Sequence, residues 1–382
     1  MHRTGILVSM LAVTVALTVR AEAADGTQYG TASATVPIPN TAAHLGRNIL
    51  HPINSDGPVS AFQPRVDAAV RARVIRAVAE QLDQLYVYPD VGKKLARDIT
   101  LGWRQGQYRT VADGVAFAQQ LTDSLQAVSH DKHLRVDFSP AQLPKGETEQ
   151  SSGSIARERE KLTHENCGFV RVEWLPGNVG YVRLDEFGDD ASLCTGTAAA
   201  AMGFLANVDA IIFDLRENHG GDPALVAFLE TFLFASRTHI DDLWDRRSGR
   251  TTEIWTLSDV PGKRLPSAAA YVLTSHATFS GAEAFAYELQ ALKRATVVGE
   301  VTGGGGHIVH GVRIDDRFRL MIPVARPINP VTKTNWEGTG VVPDVNAPAA
   351  QALDVAKELA AEELKRRRSD QETTTRSQRV PE

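Results

Sequence analysis

The sequence has little cysteine, no excess of positive charge and no long apolar run after Val19. Its 382 residues carry a net charge of −5, and no basic face runs through the body of the chain. Domains that bind nucleic acid usually present such a face, so we expect no nucleic-acid partner. Hydrophobic residues make up 43% of the chain, which is enough to bury the core of an ordinary globular protein.

The low number of cysteines limits the metal sites and disulfides that the chain can form. Cys167 and Cys194 are the two cysteines of the chain. Neither has a histidine or cysteine neighbour at the spacing of a metal-ligand set, and the sequence predicts no metal and no organic cofactor. The two thiols can pair as a disulfide in an oxidising compartment, or both can stay reduced and buried. The sequence leaves both alternatives open.

The N-terminus has the features of a secretory signal. Arg3 precedes an uncharged apolar run from Gly5 to Val19, and the small-x-small pattern at 21–23 matches a signal-peptidase site. The run is shorter than the ~20 residues of a membrane-spanning helix. We therefore predict a signal peptide at 1–23, a secreted or periplasmic protein, and no stable membrane insertion after cleavage. An uncleaved anchor is the alternative.

Hydrophobic periodicity divides the first part of the remaining chain. Residues 24–64 show no sustained period and are predicted to be a flexible leader. Apolar residues recur every four positions from Val70 to Leu82, and helical patterns follow at 94–104 and 113–128. These patterns predict a small helical domain over 65–130. A strand at 133–138 and a polar linker are predicted to occupy 131–166.

From residue 167 the pattern changes to alternating strands and helices, which is typical of an α/β core. We predict this core over 167–366 and a disordered tail over 367–382. The predicted strands are 169–174, 179–184, 210–215, 270–274, 295–298 and 318–323, and the predicted helices are 193–205, 223–234, 280–292 and 349–365.

One segment of the core places a serine where a nucleophile is expected. A buried strand, a short polar turn and a helix follow one another, so that Ser280 lies at a helix N-terminus. Backbone N–H groups and the helix dipole stabilise negative charge there, as attack of a serine on a carbonyl requires. The alternative is structural, because serine is a preferred N-cap and Ser280 with Glu283 matches a capping box.

A second segment, DLRENHGG at 214–221, leads from a strand into a double-glycine turn. Adjacent glycines allow close approach of a ligand to the backbone, and their N–H groups can point at an anion. An ordinary strand-to-helix turn uses two glycines equally well. This segment alone therefore does not identify a site.

Taken together, the motifs resemble those of the carboxy-terminal processing (tail-specific) serine peptidases. More narrowly, they resemble the branch that includes interphotoreceptor retinoid-binding protein and tricorn-like proteases. The resemblance covers roughly residues 66–360. Besides the double-glycine segment, it rests on YVYP (86–89), DKHLRV (131–136), TFSGAE (278–283), VGEVTGGGGH (298–307) and NWEGTGVVPD (335–344).

The resemblance implies an α/β fold in which a crotonase-like (ββα-type) catalytic core follows the N-terminal helical domain. It implies a serine-type peptidase with Ser280 as nucleophile. It also implies an oxyanion hole built from the backbone N–H groups of Gly220, Gly221 and Gly281. The family often carries a PDZ domain, but we find no segment for one between the helices and the core.

The identity of the general base depends on the branch. Many members use a lysine in a Gly-Lys-Gly stretch, but the corresponding position here is Gly305. The other branch uses histidine and glutamate, and the resemblance then implies His133 as the base and Glu337 as its partner. A neutral imidazole can accept the serine proton, and a carboxylate can fix its tautomer.

Other polar residues near the motifs have weaker claims. His307, which ends the glycine run, is the main alternative base. His130, His219 and His276 are further candidates. The glycine turn itself is predicted to be organised by Asp214, Arg216 and Asn218.

Two functions are compatible with this family resemblance. The first is an exported peptidase that cleaves a peptide or protein substrate through an acyl-enzyme. The second is a non-catalytic protein that binds an apolar ligand such as a retinoid or lipid. Because serine, histidine and glutamate are all present, the sequence favours the peptidase. An esterase of the α/β-hydrolase class is disfavoured, since Ser280 lacks a Gly-x-Ser-x-Gly elbow.

Overall fold

The computed structural model describes residues 65–143 and 152–377. The predicted signal peptide and leader lie outside these residues. In chain order the helices are α1 (Ala68–Leu85), α2 (Pro89–Arg104), α3 (Gly114–Ser129), α4 (Ser152–His164), α5 (Ala191–Phe204), α6 (Pro223–Thr231), α7 (Gly281–Ala291) and α8 (Ala352–Ser377). The strands are β1 (Arg135–Phe138), β2 (Phe169–Leu175), β3 (Val179–Leu184), β4 (Ala210–Asp214), β5 (His239–Asp245), β6 (Arg250–Trp255), β7 (Ala269–Thr274), β8 (Thr296–Gly299), β9 (Ile308–Arg313), β10 (Phe318–Ile328) and β11 (Val345–Asn346).

The predicted helices begin at clear sequence signals. Asp67 and Asp113 are the N-caps of α1 and α3, and each carboxylate accepts a hydrogen bond from an N–H of the first turn. Pro89 occupies the first turn of α2, where the missing N–H costs nothing, so this helix begins earlier than the predicted residue 94. Val74, Val78 and Leu82 form the buried face of α1, as their spacing predicts.

A six-stranded sheet, in the order β11-β8-β7-β4-β3-β2, forms the α/β core. Its strands pair in parallel except for β2, which pairs antiparallel with β3. Every residue of β4 and β7 is buried, because helices cover both faces of a parallel sheet. One face packs against α5, α6 and α7, and the other against α8.

A second, antiparallel sheet joins β1, which follows the N-terminal helices, to strands that come much later in the chain. The long strand β10 pairs with β1, β5 and β9, and β6 pairs with β5. One hydrophobic core contains residues of α1, α2 and α3 together with Phe318, Leu320 and Ile322 of β10. The N-terminal helices thus share their core with strands that lie about two hundred residues later in the chain.

Several elements were not predicted. The linker contains α4, β10 continues beyond residue 323, and β5, β6, β9 and β11 have polar, irregular patterns that do not predict strands. The helix α8 continues to Ser377, through part of the predicted disordered tail. Ion pairs between Glu363 and Arg367 and between Arg366 and Asp370 support this polar helix. None of the described helices is long and apolar enough to cross a bilayer.

The two cysteines form a disulfide. Cys167 precedes β2, Cys194 lies in α5, and their Cα atoms are 5.5 Å apart. Both side chains are buried in the core between the parallel sheet and its helices. Of the two alternatives left open by the sequence, the structure contains the disulfide.

Candidate active site

Ser280 lies between the end of β7 and the start of α7. Its backbone has φ 55° and ψ −120°, which is unusual for a residue other than glycine. Two hydrogen bonds hold this conformation: the Ser280 N–H donates to Oε2 of Glu283 (2.8 Å), and the Phe279 N–H donates to the carbonyl oxygen of Asn218 (3.0 Å). Strained backbone of this kind persists only where its surroundings enforce it, and it often marks a functional site.

His133 approaches Ser280 from the antiparallel sheet. Its Nε2 lies 3.2 Å from Oγ of Ser280, within hydrogen-bond distance. Asp131 accepts a hydrogen bond from the His133 backbone N–H (3.0 Å), and the imidazole packs 4.7 Å from the ring of Phe279. Burial lowers the pKa of His133 to about 4, although the negative charge of Asp131 acts in the opposite direction. The imidazole is therefore neutral at pH 7, as a general base must be.

The absence of a side chain at Gly305 is a condition of this geometry. A Cβ atom at residue 305 would lie 2.2 Å from Cζ of Phe279 and 2.7 Å from Cε1 of His133. The imidazole and the phenyl ring thus occupy the space that a lysine at this position would need. A serine–lysine arrangement does not fit the described structure.

A buried polar network surrounds the imidazole. Asp131 is almost completely buried, and its Oδ2 lies 2.7 Å from Nδ1 of His307. The Tyr86 hydroxyl donates to the same oxygen (3.1 Å). Burial alone would raise the pKa of Asp131, but the hydrogen bond and charge of His307 outweigh it and hold the pKa below its usual value. His307 is thereby bound to a carboxylate, whereas His133 faces the serine.

Glu337 lies at the edge of this network. Its Oε2 accepts a hydrogen bond from the Gly306 N–H (2.6 Å) and lies 3.4 Å from Nδ1 of His307. Burial, reinforced by the negative charge of Asp131, raises the pKa of Glu337 to about 7. The carboxylates of Asp131 and Glu337 and a ring nitrogen of His133 all lie within 4.8 Å of one another. Nδ1 of His133 is buried without a hydrogen-bond partner among the described residues.

A set of two carboxylates and one imidazole resembles a metal-ligand set in composition. Here the carboxylate of Asp131 is already bound to His307 and Tyr86, and Nε2 of His133 faces the serine. We therefore do not assign a metal to this set, and we treat Asp131 and Glu337 as the surroundings of the His133 imidazole.

The double-glycine turn lies directly against the serine. A Cβ at Gly220 would be 2.8 Å from the nitrogen of Gly281, and a Cβ at Gly221 would overlap the carbonyl oxygen of Phe187 at 1.6 Å. Both glycines have positive φ, 106° and 131°, so both the space and the conformation require glycine. The turn can approach Ser280 this closely because neither residue has a side chain.

The predicted oxyanion donors need one correction. The Gly220 N–H donates to Oδ1 of Asn218 (2.8 Å) and is committed within the turn. The N–H groups of Gly221 and Gly281 have no partner within 65–143 and 152–377, and a Cβ built on Gly281 would lie 3.1 Å from the Gly221 nitrogen. These two N–H groups are the pair that remains open for an oxyanion.

Glu283 has a wider role than the capping box suggests. Its buried carboxylate accepts hydrogen bonds from the N–H groups of Ser280, Gly304 and Gly305 and from the Thr302 hydroxyl. One side chain thus fixes the serine turn to the glycine run that packs on His133. The sequence signal for Glu283 was visible, but it predicted only the helix cap.

The other candidates lie outside the buried network. The side chains of His130, His219 and His276 are exposed. Arg216 forms a bidentate pair with Asp214 and donates to the Ala349 carbonyl, a set of contacts at the end of β4. Burial alone would raise the pKa of Asp214, but Arg216 and Tyr181 hold it below its usual value.

Two family models match the chain. Residues 178–347 match the model of peptidase family S41, and residues 66–167 match the model of the N-terminal domain of peptidase S41 in eukaryotic IRBP. The chain belongs to peptidase family S41. The S41 model spans Ser280, Glu337 and the glycine turn, while the N-terminal model spans His133. The family resemblance inferred from the motifs is confirmed.

Individual relatives of this S41 chain are distant. A carboxyl-terminal-processing peptidase 2, chloroplastic, from Arabidopsis thaliana is 32% identical over 208 residues, which are 53% of this chain and 38% of that protein. The chain thus spans less than half the length of this relative.

Solved structures of low sequence identity share the fold. Mature CPAF aligns with a TM-score of 0.54 and 14% identity over 77% of this chain and 97% of CPAF. A lipoprotein from Streptococcus agalactiae aligns with a TM-score of 0.51 and 13% identity over 76% of this chain and 96% of that protein. At these identities the likeness concerns the fold alone.

Proposed function

We propose that this S41 chain is an exported serine peptidase in which Ser280 is the nucleophile, His133 the general base and Glu337 the partner of the base. The observation that carries the proposal is the 3.2 Å separation between Nε2 of His133 and Oγ of Ser280, across 147 residues of sequence. A neutral imidazole at this distance can remove the hydroxyl proton during attack.

The proposed reaction follows from the arrangement. Oγ of Ser280 attacks the peptide carbonyl carbon, and its proton moves to Nε2 of His133. The carbonyl oxygen becomes negative and accepts hydrogen bonds from the N–H groups of Gly221 and Gly281. His133 then donates the proton to the leaving amine as the C–N bond breaks. Water attacks the acyl-enzyme by the same steps and releases the acid and free Ser280.

Glu337 is proposed to act through the imidazole. When Nε2 accepts a proton from serine, Nδ1 must carry a hydrogen, and this N–H needs an acceptor in a buried site. The carboxylate of Glu337 belongs to the group of atoms, all within 4.8 Å of one another, that includes a ring nitrogen of His133, and Nδ1 has no hydrogen-bond partner in the described part of the chain.

The alternative is a non-catalytic protein that binds an apolar ligand. Its support is a cavity beside Ser280 with apolar walls, which include Val226, Ile240, Leu243 and Ile254. Such a protein would have no need of a neutral imidazole directed at a serine hydroxyl. The labelling experiment below distinguishes the two functions.

The test is covalent labelling with a fluorophosphonate, which reacts with activated serines. We expect the wild type to be labelled at Ser280, as mapped by mass spectrometry, and Ser280→Ala to lose the label. The exposed Ser258 offers a matched control, because Ser258→Ala should label like the wild type. A wild type that resists labelling, or a Ser280→Ala variant that still carries it, would refute the proposal.

Export is the second part of this proposal. Its support is the apolar run from Gly5 to Val19 with the small residues at 21–23, together with the disulfide, since disulfides persist in oxidising compartments. N-terminal sequencing of the protein from the periplasm or medium should give a chain that begins near Ala24. Recovery of the unprocessed chain in the cytoplasm alone would contradict export.

A further inference from the structure

A cavity opens directly beside the candidate nucleophile. Ser280, Gly281 and Gly221 line it, and its walls are mostly apolar. It holds about 70 Å³ of space for the centre of a water molecule, whereas about 10–15 Å³ is enough for one water. A side chain of several heavy atoms therefore fits into it.

The cavity also contains acidic side chains. Asp241 of β5 and Glu288 of α7 line it, and they are only 6% and 4% exposed. Glu230 of α6 is completely buried next to Glu288. Oδ1 of Asp241 has no hydrogen-bond partner among the described residues, and the carboxyl groups of Glu230 and Glu288 interact with each other rather than with a basic group. No lysine or arginine among the described residues forms an ion pair with Asp241, Glu288 or Glu230.

Three buried acids without a counter-ion are electrostatically costly. A buried carboxylate is stable only when it is paired or protonated. Burial, together with the charge of the neighbouring acids, raises the pKa of Asp241 and of Glu288 well above the usual values. A cation inside the cavity would supply the positive charge that the described residues do not provide.

The position of the cavity relative to Ser280 suggests which part of a substrate enters it. A peptide carbonyl held over Ser280 by the N–H groups of Gly221 and Gly281 has its own Cα directly adjacent. The side chain on that Cα, which belongs to the residue before the scissile bond, would then enter the cavity that Ser280, Gly221 and Gly281 line. A lysine or arginine there would extend its methylene groups along the apolar walls and bring its charge to Asp241 and Glu288.

We propose that this cavity is the specificity subsite for the residue before the scissile bond, and that it selects lysine or arginine through Asp241 and Glu288. The proposal rests on the proposed peptidase function for its substrate class. The presence of a cation-binding subsite does not depend on that function, because it follows from the cavity and its unpaired carboxylates.

The first experiment measures cleavage of fluorogenic peptides that differ only in this residue, with lysine, arginine, leucine or glutamate. We expect kcat/KM for lysine or arginine to exceed that for leucine by about 10-fold or more. Removal of one partner of a buried charge pair should reduce this preference by about 30-fold or more, so Asp241→Asn and Glu288→Gln should favour leucine. Asp242→Asn is the matched control, because Asp242 contacts His239 and does not line the cavity.

A wild type that prefers leucine, or a preference that Asp241→Asn and Glu288→Gln leave unchanged, would overturn the inference. Both substitutions replace a buried acid with a neutral amide of similar shape. We therefore expect both variants to fold, which thermal unfolding checks. Glu230→Gln gives a second check, since Glu230 is not part of the cavity wall and its loss should keep the lysine preference.

The second experiment separates the subsite from the catalytic proposal. Agmatine, a small guanidinium compound, is titrated calorimetrically into Ser280→Ala, which cannot react. We expect 1:1 binding that Asp241→Asn and Glu288→Gln abolish, with proton release because the carboxyls must ionise. If agmatine does not bind to Ser280→Ala, the subsite is refuted, even if the wild type cleaves peptides. If agmatine binds but the wild type cleaves no peptide, the subsite is supported and the peptidase function is refuted.

Discussion

The two sheets contribute different parts of the candidate site. The parallel sheet supplies Ser280 and the glycine turn, which follow β7 and β4, two neighbouring strands of one sheet. The antiparallel sheet supplies His133 just before β1 and His307 just before β9, and both strands pair with β10. The serine and the candidate oxyanion donors thus depend on one compact sheet, whereas the candidate base depends on pairing between distant parts of the chain.

This difference has a physical consequence. The glycine turn contacts Ser280 through backbone atoms, and its geometry is set by positive φ values and close packing. The imidazole is held by side chains, through Asp131, Phe279 and the network of His307 and Glu337. We expect substitutions on the antiparallel side to change proton transfer while they leave the oxyanion hole intact.

The largest effect is expected for removal of the base. His133→Ala should reduce kcat by about 10⁴-fold or more, because the serine loses its proton acceptor while the parallel sheet is unchanged. Ser280→Ala with His133→Ala should cost little more than either change alone, since the two residues act together. Steady-state kinetics on a peptide substrate measures this, with His276→Ala, a change at an exposed ring, as the control.

If His133→Ala reduces kcat by less than about 10-fold, His133 is not the base, and the proposed division of roles between the two sheets is wrong. The next candidate to test as the base is then His307.

The second-largest effect on activity is expected from the ionisation of Glu337 with pH. Its pKa of about 7 lies above the ordinary value, so the carboxylate is protonated below pH 7 and ionised above it. His133, with a pKa of about 4, is already neutral across this range. If the ionised Glu337 orients the imidazole, kcat/KM should rise with pH through about 7 and fall as the pH drops below it.

Glu337→Gln should therefore lower kcat by about 10²–10⁴-fold and remove the rise near pH 7, leaving a rise only near pH 4. Profiles of kcat/KM between pH 4 and 9 measure both features. A wild-type profile with its acidic limb near 4 would show that Glu337 does not need to ionise. A limb near 7 that persists in the variant would assign it to another group.

The smallest effect on activity is expected at the disulfide. It lies on the parallel-sheet side and closes a loop of 27 residues, so its loss should lower the free energy of unfolding by about 3–4 kcal/mol. The double variant Cys167→Ser, Cys194→Ser should keep kcat near the wild-type value, because neither residue contacts His133 or Ser280.

Denaturant unfolding and kinetics on the same preparation measure these two quantities. An unchanged free energy of unfolding would contradict the stabilising role of the disulfide. A large loss of kcat in the folded variant would show that the parallel sheet and the site are coupled through α5.

Much of the parallel sheet could be predicted because its signals are local. Continuous apolar runs at 210–214 and 269–274 belong to strands buried on both faces, and an aspartate cap or a proline begins several helices. The strands β5, β6 and β9 were missed, since none of them shows a regular alternation of buried and exposed residues. The helix α8 extends into the predicted tail because ion pairs stabilise a sequence that has no apolar face there.

For the candidate site, the sequence predicted the main residues but not the contacts between them. Ser280 lies in a recognisable strand–turn–helix segment, and the S41 resemblance added His133 and Glu337. No sequence signal showed that Gly220 donates to Asn218, that Glu283 connects the serine turn to the glycine run, or that Asp131 binds His307. These contacts join residues through side chains whose partners depend on the packed structure.

The sequence by itself therefore determined the elements: buried strands, capped helices, a double-glycine turn and a serine at a helix N-terminus. These follow from short-range periodicity and backbone sterics, which act within a few residues. Only the tertiary structure decided which histidine faces the serine and which one binds a carboxylate. It also decided that Asp241 and Glu288 are buried in the cavity beside Ser280 without a counter-ion among the described residues, because distance and burial arise only when separate elements pack together.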